Sequence, residues 1–80
     1  MFNKTISIIG GTGHVGLPLG LMLAWKKYKV QLIDINLKNI NYVNKGIMPF
    51  KEEKADLILK KLVKQKKIFA SNNLELVKSS

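Results

Sequence analysis

The chain is expected to fold as α/β, a parallel sheet with flanking helices, and three observations predict this. Thr5–Ile9 is a short run, nearly all apolar and β-branched, the composition of a parallel strand covered on both faces. It passes straight into a glycine-rich turn, Gly10-Gly11-Thr12-Gly13-His14-Val15-Gly16, and then into an apolar stretch of helical length. A second apolar run begins at Val30 and closes on an acid, Asp34. Strand, turn, helix and strand in that order make a βαβ unit, the connection that two parallel neighbours require.

The first helix is placed from about His14 to Lys27. Pro18 falls near its first turn, where a missing N–H is tolerated. Gly20 lies deeper and weakens the helix by about 1 kcal/mol relative to alanine, so its expected use is close approach to the sheet. Trp25 is expected to pack at the helix end. The second strand spans Val30–Ile35. A short helix over about Leu37–Asn44 turns Ile40 and Val43 inward, with Gly46 at its C-terminal cap, and Met48-Pro49-Phe50 breaks the pattern. In the next helix Ala55, Ile58, Leu59 and Leu62 stand at i, i+3, i+4 and i+7 and form one apolar stripe. Glu52, Glu53 and Asp56 crowd its start and Lys60, Lys61, Lys64, Lys66 and Lys67 its end, as the helix dipole favours. Ile68–Ala70 reads as a third strand, with an edge left for further chain to cover, and Asn72 with Glu75 as a capping box for one more helix.

The glycine turn carries the chemistry. Gly11, Gly13 and Gly16 fit G-x-G-x-x-G, in which the first glycine permits the tight turn, the second lets the backbone approach a pyrophosphate, and the third lets helix and strand pack closely. The helix that follows points its free N–H groups and positive dipole end at the phosphates. Asp34 lies about 20 residues on, where its carboxylate accepts hydrogen bonds from the adenosine ribose hydroxyls. The expectation is therefore a Rossmann-type dinucleotide site built from Gly11, Thr12, Gly13, His14, Val15, Gly16 and Asp34, with NAD as cofactor. NAD is preferred over NADP because Asp34 would repel a 2′-phosphate and the chain has no arginine to neutralise it.

Composition narrows the remaining classes. Eighty residues allow one small domain, and a chain of this size buries only about 60% of the surface it exposes unfolded. Residues 1–80 thus read as the N-terminal half of a dinucleotide-binding domain, an incomplete unit of a longer protein. Without cysteine there are no disulfides or thiolate metal sites, and a single histidine argues against zinc. His14, the one histidine, sits beside the pyrophosphate rather than the reacting ring, so its backbone N–H is expected on a phosphate and its side chain in packing. No catalytic constellation can be assembled, and none of these residues is read as catalytic. The net charge of +9 comes wholly from lysine. The lysines are scattered, and no arginine offers bidentate contacts to guanine or phosphate, so nucleic acid is not an expected partner. The apolar run Val15–Trp25 is too short to span a bilayer, and no signal peptide is evident. A cytoplasmic protein is expected.

The segment Gly10–Leu21 resembles the start of the UDP-glucose/GDP-mannose dehydrogenase family, the NAD-dependent nucleotide-sugar 6-dehydrogenases. The likeness continues through Asp34-Ile35-Asn36, Asn44-Lys45-Gly46, Pro49-Phe50, Glu52-Glu53, Ala55 and Ile68–Ser71 with Asn73. The Pro-Phe…Glu-Glu…Ala stretch looks closest to the UDP-N-acetylmannosamine dehydrogenase branch. The resemblance implies oxidation of a UDP-sugar's C6 alcohol to the uronate in two steps with two NAD, by a protein that is a homodimer when full length. In members of the family the catalytic cysteine, and the lysine, asparagine and acid that assist it, lie beyond residue 80. The family's cofactor loop maps onto Gly11, Gly13, His14, Val15 and Gly16 and its ribose acid onto Asp34. Many members carry a basic residue five positions after that acid; here the position is Asn39, with Lys38 beside it. Lys54 stands where a glycine is usual.

Two other readings use the same residues. Gly10, Gly13 and Gly16 also fit the spacing of short-chain sugar epimerases or dehydratases, which need Tyr-x-x-x-Lys; Tyr28 is followed four positions on by Leu32 and Tyr42 by Gly46. A non-enzymatic NAD-binding module is the other.

Overall fold

The computed structural model describes residues 4–52 and 54–73. The Asn72–Glu75 capping box therefore lies partly outside the described residues. Three strands, β1 (Thr5–Ile9), β2 (Lys29–Ile33) and β3 (Ile68–Ser71), alternate with helices α1 (Gly16–Trp25), α2 (Leu37–Asn44) and α3 (Ala55–Lys64). The sheet is parallel with order β1-β2-β3. In register, Ile6, Val30 and Ile68 form one cross-strand row and Ile8, Leu32 and Ala70 another on the same face. That face meets α1, where a Cβ on Gly20 would lie 2.8 Å from the Leu32 side chain and 3.4 Å from those of Ile8 and Val30. Close approach is indeed the use of Gly20. Leu17, Leu21 and Ala24 of α1, Ile40 and Val43 of α2, Met48, and Ala55, Leu59 and Leu62 of α3 complete the core. Fully burying one such leucine contributes about 2 kcal/mol.

Several boundaries differ from the sequence reading, each for a local reason. β2 stops at Ile33, and Ile35 is exposed, because the Asp34 carboxylate Oδ1 accepts the N–H groups of Ile35 and Asn36 at 2.8 and 3.2 Å. This turn draws the backbone out of the ladder. Helix α1 starts at Gly16 rather than His14 because Gly13 N–H donates to Gly10 C=O within the turn. Trp25, expected to pack at the helix end, is 56% exposed there and holds the Lys61 ammonium 5.2 Å from its ring centroid. Ile58 sits at the margin of the α3 stripe, exposed beside Trp25, while Ala55, Leu59 and Leu62 are buried. Asp56 accepts the Met48 N–H at 2.8 Å and so fastens the preceding loop as well as charging the helix start.

The outer edge of β3 is sealed at one point. The Asn44 side chain donates to Ala70 C=O and accepts from Ala70 N–H, both at 2.8 Å, reproducing the pairing of a neighbouring strand. The expected open edge at β3 is thus closed there by an α2 side chain. In the strand order β1 is the other edge strand.

Candidate dinucleotide-binding site

The turn between β1 and α1 lies at the carboxyl end of the sheet, beside Asp34 at the end of β2. Gly10 has φ +72, a left-handed conformation natural to glycine, and its N–H donates to Ile33 C=O at 2.7 Å. A Cβ on Gly11 would stand 2.7–2.9 Å from Leu32 Cβ, Leu32 Cα and Ile8 C=O, and one on Gly16 2.6 Å from Gly10 C=O and 2.9 Å from Gly11 Cα. These two glycines are demanded by backbone contact. Gly13 differs, since a Cβ there would touch only Gly10 C=O, at an ordinary 3.5 Å. Its outer side is open.

Helix α1 begins above this open side with no side-chain cap and no acid in its first turn. By contrast, Asn36 caps α2 by accepting Asn39 N–H at 3.0 Å, and α3 carries Asp56 in its first turn. An uncapped, uncompensated helix N-terminus favours an anionic group in front of it. His14 and Val15 are exposed at this turn. The His14 ring stacks on Phe50, with centroids 4.1 Å apart and planes at 21°, so its side chain packs as expected.

Asp34 is held across the site by four donors. Oδ2 accepts the Thr12 hydroxyl at 2.7 Å and the Thr12 N–H at 3.0 Å, and Oδ1 accepts Ile35 and Asn36 N–H. Burial pushes the carboxyl pKa up, but the Thr12 hydroxyl and the backbone N–H groups of Thr12, Asn36 and Ile35 outweigh it and hold the group below its ordinary 3.8. The charged form therefore adds stability above that value and loses it only as the pH falls through the lowered one. Asn39 Nδ2 reaches Thr12 C=O at 3.5 Å, so the turn, the end of β2 and the start of α2 meet at Thr12, which is 1% exposed. A cleft of about 420 Å³ runs beside them, lined by Ile9, Gly10, Ile33, Asp34, Ile35 and Asn72. The bonds of Thr12 and the stacking of Phe50 had no visible signal in the sequence beyond the hydroxyl of Thr12 inside the motif. Among the described residues no cluster of three metal-ligating side chains occurs, and no helix is long and apolar enough to cross a membrane.

Parallel strands, a glycine turn heading an uncapped helix and an acid ending the next strand define a dinucleotide-binding domain of Rossmann type. Residues 4–80 match the UDP-glucose/GDP-mannose dehydrogenase family, NAD binding domain, and the chain belongs to that family. It is 36% identical over 62 residues, 78% of its length, to a UDP-N-acetyl-D-mannosamine dehydrogenase of Campylobacter jejuni, and 31% identical over 72 residues, 90% of its length, to one of Methanococcus maripaludis. The structure of a UDP-D-ManNAc dehydrogenase from Pyrococcus horikoshii superposes with a TM-score of 0.85 at 28% identity, covering 92% of this chain and 18% of that one. The chain spans only 15–17% of the length of the two sequence relatives. NAD is the cofactor of the domain, and the family assignment favours the nucleotide-sugar dehydrogenase reading over the short-chain epimerase alternative.

Proposed function

We propose that the full-length protein is an NAD-dependent dehydrogenase that oxidises the C6 alcohol of a UDP-sugar, UDP-N-acetylmannosamine or a close relative, to the uronate with two NAD. This chain's part is to hold the adenosine and pyrophosphate and aim the nicotinamide at the sugar. One observation carries the reading: the open side of Gly13 faces an uncapped helix start, while Gly11 and Gly16 leave no room for side chains. That arrangement fits a pyrophosphate, whose charge the positive end of the helix dipole would meet. Gly11, Thr12, Gly13, His14, Val15 and Gly16 form the pyrophosphate turn, and Asp34 with Asn39 the ribose side. The Asp34 carboxylate would accept hydrogen bonds from the ribose hydroxyls when NAD is bound. Bound NAD supplies the hydride acceptor.

The two sequence relatives named above as UDP-N-acetyl-D-mannosamine dehydrogenases support the sugar class. A cytoplasmic location and a homodimeric full-length protein are part of the same proposal. The assay follows NADH absorbance with purified full-length protein and a panel of UDP- and GDP-sugars. NADH formation is expected with UDP-N-acetylmannosamine or a relative at two per sugar. No NADH with any member of the panel, from folded and NAD-binding protein, overturns the assignment.

A further inference from the structure

We propose that Thr12 is a positioning residue for cofactor choice: its hydroxyl locks the Asp34 carboxylate in the orientation that discriminates NAD from NADP. This rests on the NAD-binding reading and goes beyond it, since sequence reasoning places Thr12 among the residues that touch the cofactor.

The geometry commits both the hydroxyl and the N–H of Thr12 to Asp34. Thr12 is 1% exposed, and its hydroxyl donates at 2.7 Å to the same Asp34 oxygen that takes its own N–H at 3.0 Å. A hydroxyl donating to a charged carboxylate makes a strong, short bond, and the donor side of it, Thr12, is buried. The other carboxylate oxygen is held by Ile35 and Asn36 N–H. Those two donors belong to the acid's own turn and move with it. Thr12 belongs to the other element, so among the described residues its pair of bonds is what ties the carboxylate to the phosphate-side turn. Asn39 Nδ2, 3.5 Å from Thr12 C=O, adds a long contact on the same residue.

The charge of Asp34 excludes a 2′-phosphate only while the carboxylate is held in place, because a free side chain rotates away from a like charge. Residues 1–80 offer no arginine to attract a 2′-phosphate, so within this segment the discrimination is carried by the repulsive charge of Asp34. Valine at position 12 keeps the volume and the backbone bond but removes the O–H. The loosened carboxylate then accepts the ribose of NAD less well and repels the phosphate of NADP less.

The test measures NAD and NADP affinity by calorimetry on full-length protein carrying Thr12→Val, Thr12→Ala or Thr12→Ser, with thermal unfolding of each. In the valine and alanine variants the NAD-to-NADP affinity ratio is expected to fall at least fivefold, while serine, which keeps the O–H, stays within twofold of the native protein. A merely structural role would weaken both cofactors together and leave the ratio unmoved. An unchanged ratio in valine and alanine, or an equal fall in serine, overturns the proposal. Native protein that binds neither cofactor overturns the NAD-binding reading and this proposal with it. Should the valine variant fail to fold, the alanine and serine pair decides.

Discussion

The two ends of the sheet reverse the chain under different constraints. At the carboxyl end the turn from β1 to α1 is built from glycines, and at Gly11 and Gly16 the constraint is space: a single added carbon would press on backbone atoms. At the opposite end, α1 and α3 finish with the same pair of capping bonds. Lys27 and Lys66 N–H donate to Ala24 and Val63 C=O, and Tyr28 and Lys67 N–H to Leu23 and Leu62 C=O. This is the Schellman arrangement, which places its key residue in the left-handed region. Here that residue is lysine, at φ 80 for Lys27 and φ 59 for Lys66. Both are exposed, so the only cost is the dihedral itself, about 1 kcal/mol. Helix α2 ends with the same bonds but has Gly46 at φ 80, where a Cβ would come within 3.0 Å of Lys60 Cα. Dihedral strain alone tolerates lysine; dihedral strain with backbone against it requires glycine. Lys54, at the position where the family resemblance leads one to expect glycine, has φ 64 and is exposed, and belongs with the tolerant set.

This comparison can be broken most sharply at Gly16. Gly16→Ala forces its new carbon against Gly10 and Gly11 backbone, and full-length protein should lose about 3 kcal/mol of stability, read as a lowered denaturation midpoint, together with NAD binding. A stable Gly16→Ala protein would mean that the turn opens easily and space is not its constraint. Gly13 should behave differently within the same motif. Gly13→Val has room on the protein side, so the fold should persist with little change in melting temperature. NAD affinity by calorimetry should drop at least about tenfold, equivalent to about 1.4 kcal/mol, because the side chain occupies the pyrophosphate's approach. Full affinity would displace the phosphates from this turn. The smallest effect is expected at the lysines. Lys27→Gly, Lys54→Gly and Lys66→Gly should each stabilise the protein by about 0.5 kcal/mol, the left-handed strain relieved less the extra freedom of glycine in the unfolded chain. Denaturant melts of the three variants check the sign, and destabilisation at all three would show that the lysine side chains make contacts outweighing the strain.

The sequence by itself determined the class of fold, the order of its elements and the chemistry of the turn. Those features depend on local patterning: alternation of apolar runs, glycines at fixed spacing, and an acid at the end of a strand. It also carried the apolar stripe of α3 and the inward residues of α2, since a helix of known period projects its side chains predictably. Tertiary structure alone decided the rest. Trp25 had to meet α3 before its ring could face Lys61 rather than the core, and Asn44 had to reach β3 before its amide could stand in for a strand. Asp34 shows the division most clearly. Its position was legible because the chain places it at the end of β2, but its partners were not. Thr12 lies 22 residues away, and only the closure of the β1–α1 turn against the end of β2 brings a buried hydroxyl onto that carboxylate. Long-range hydrogen bonds of this kind leave no periodic trace, because they depend on where two separate elements come to rest.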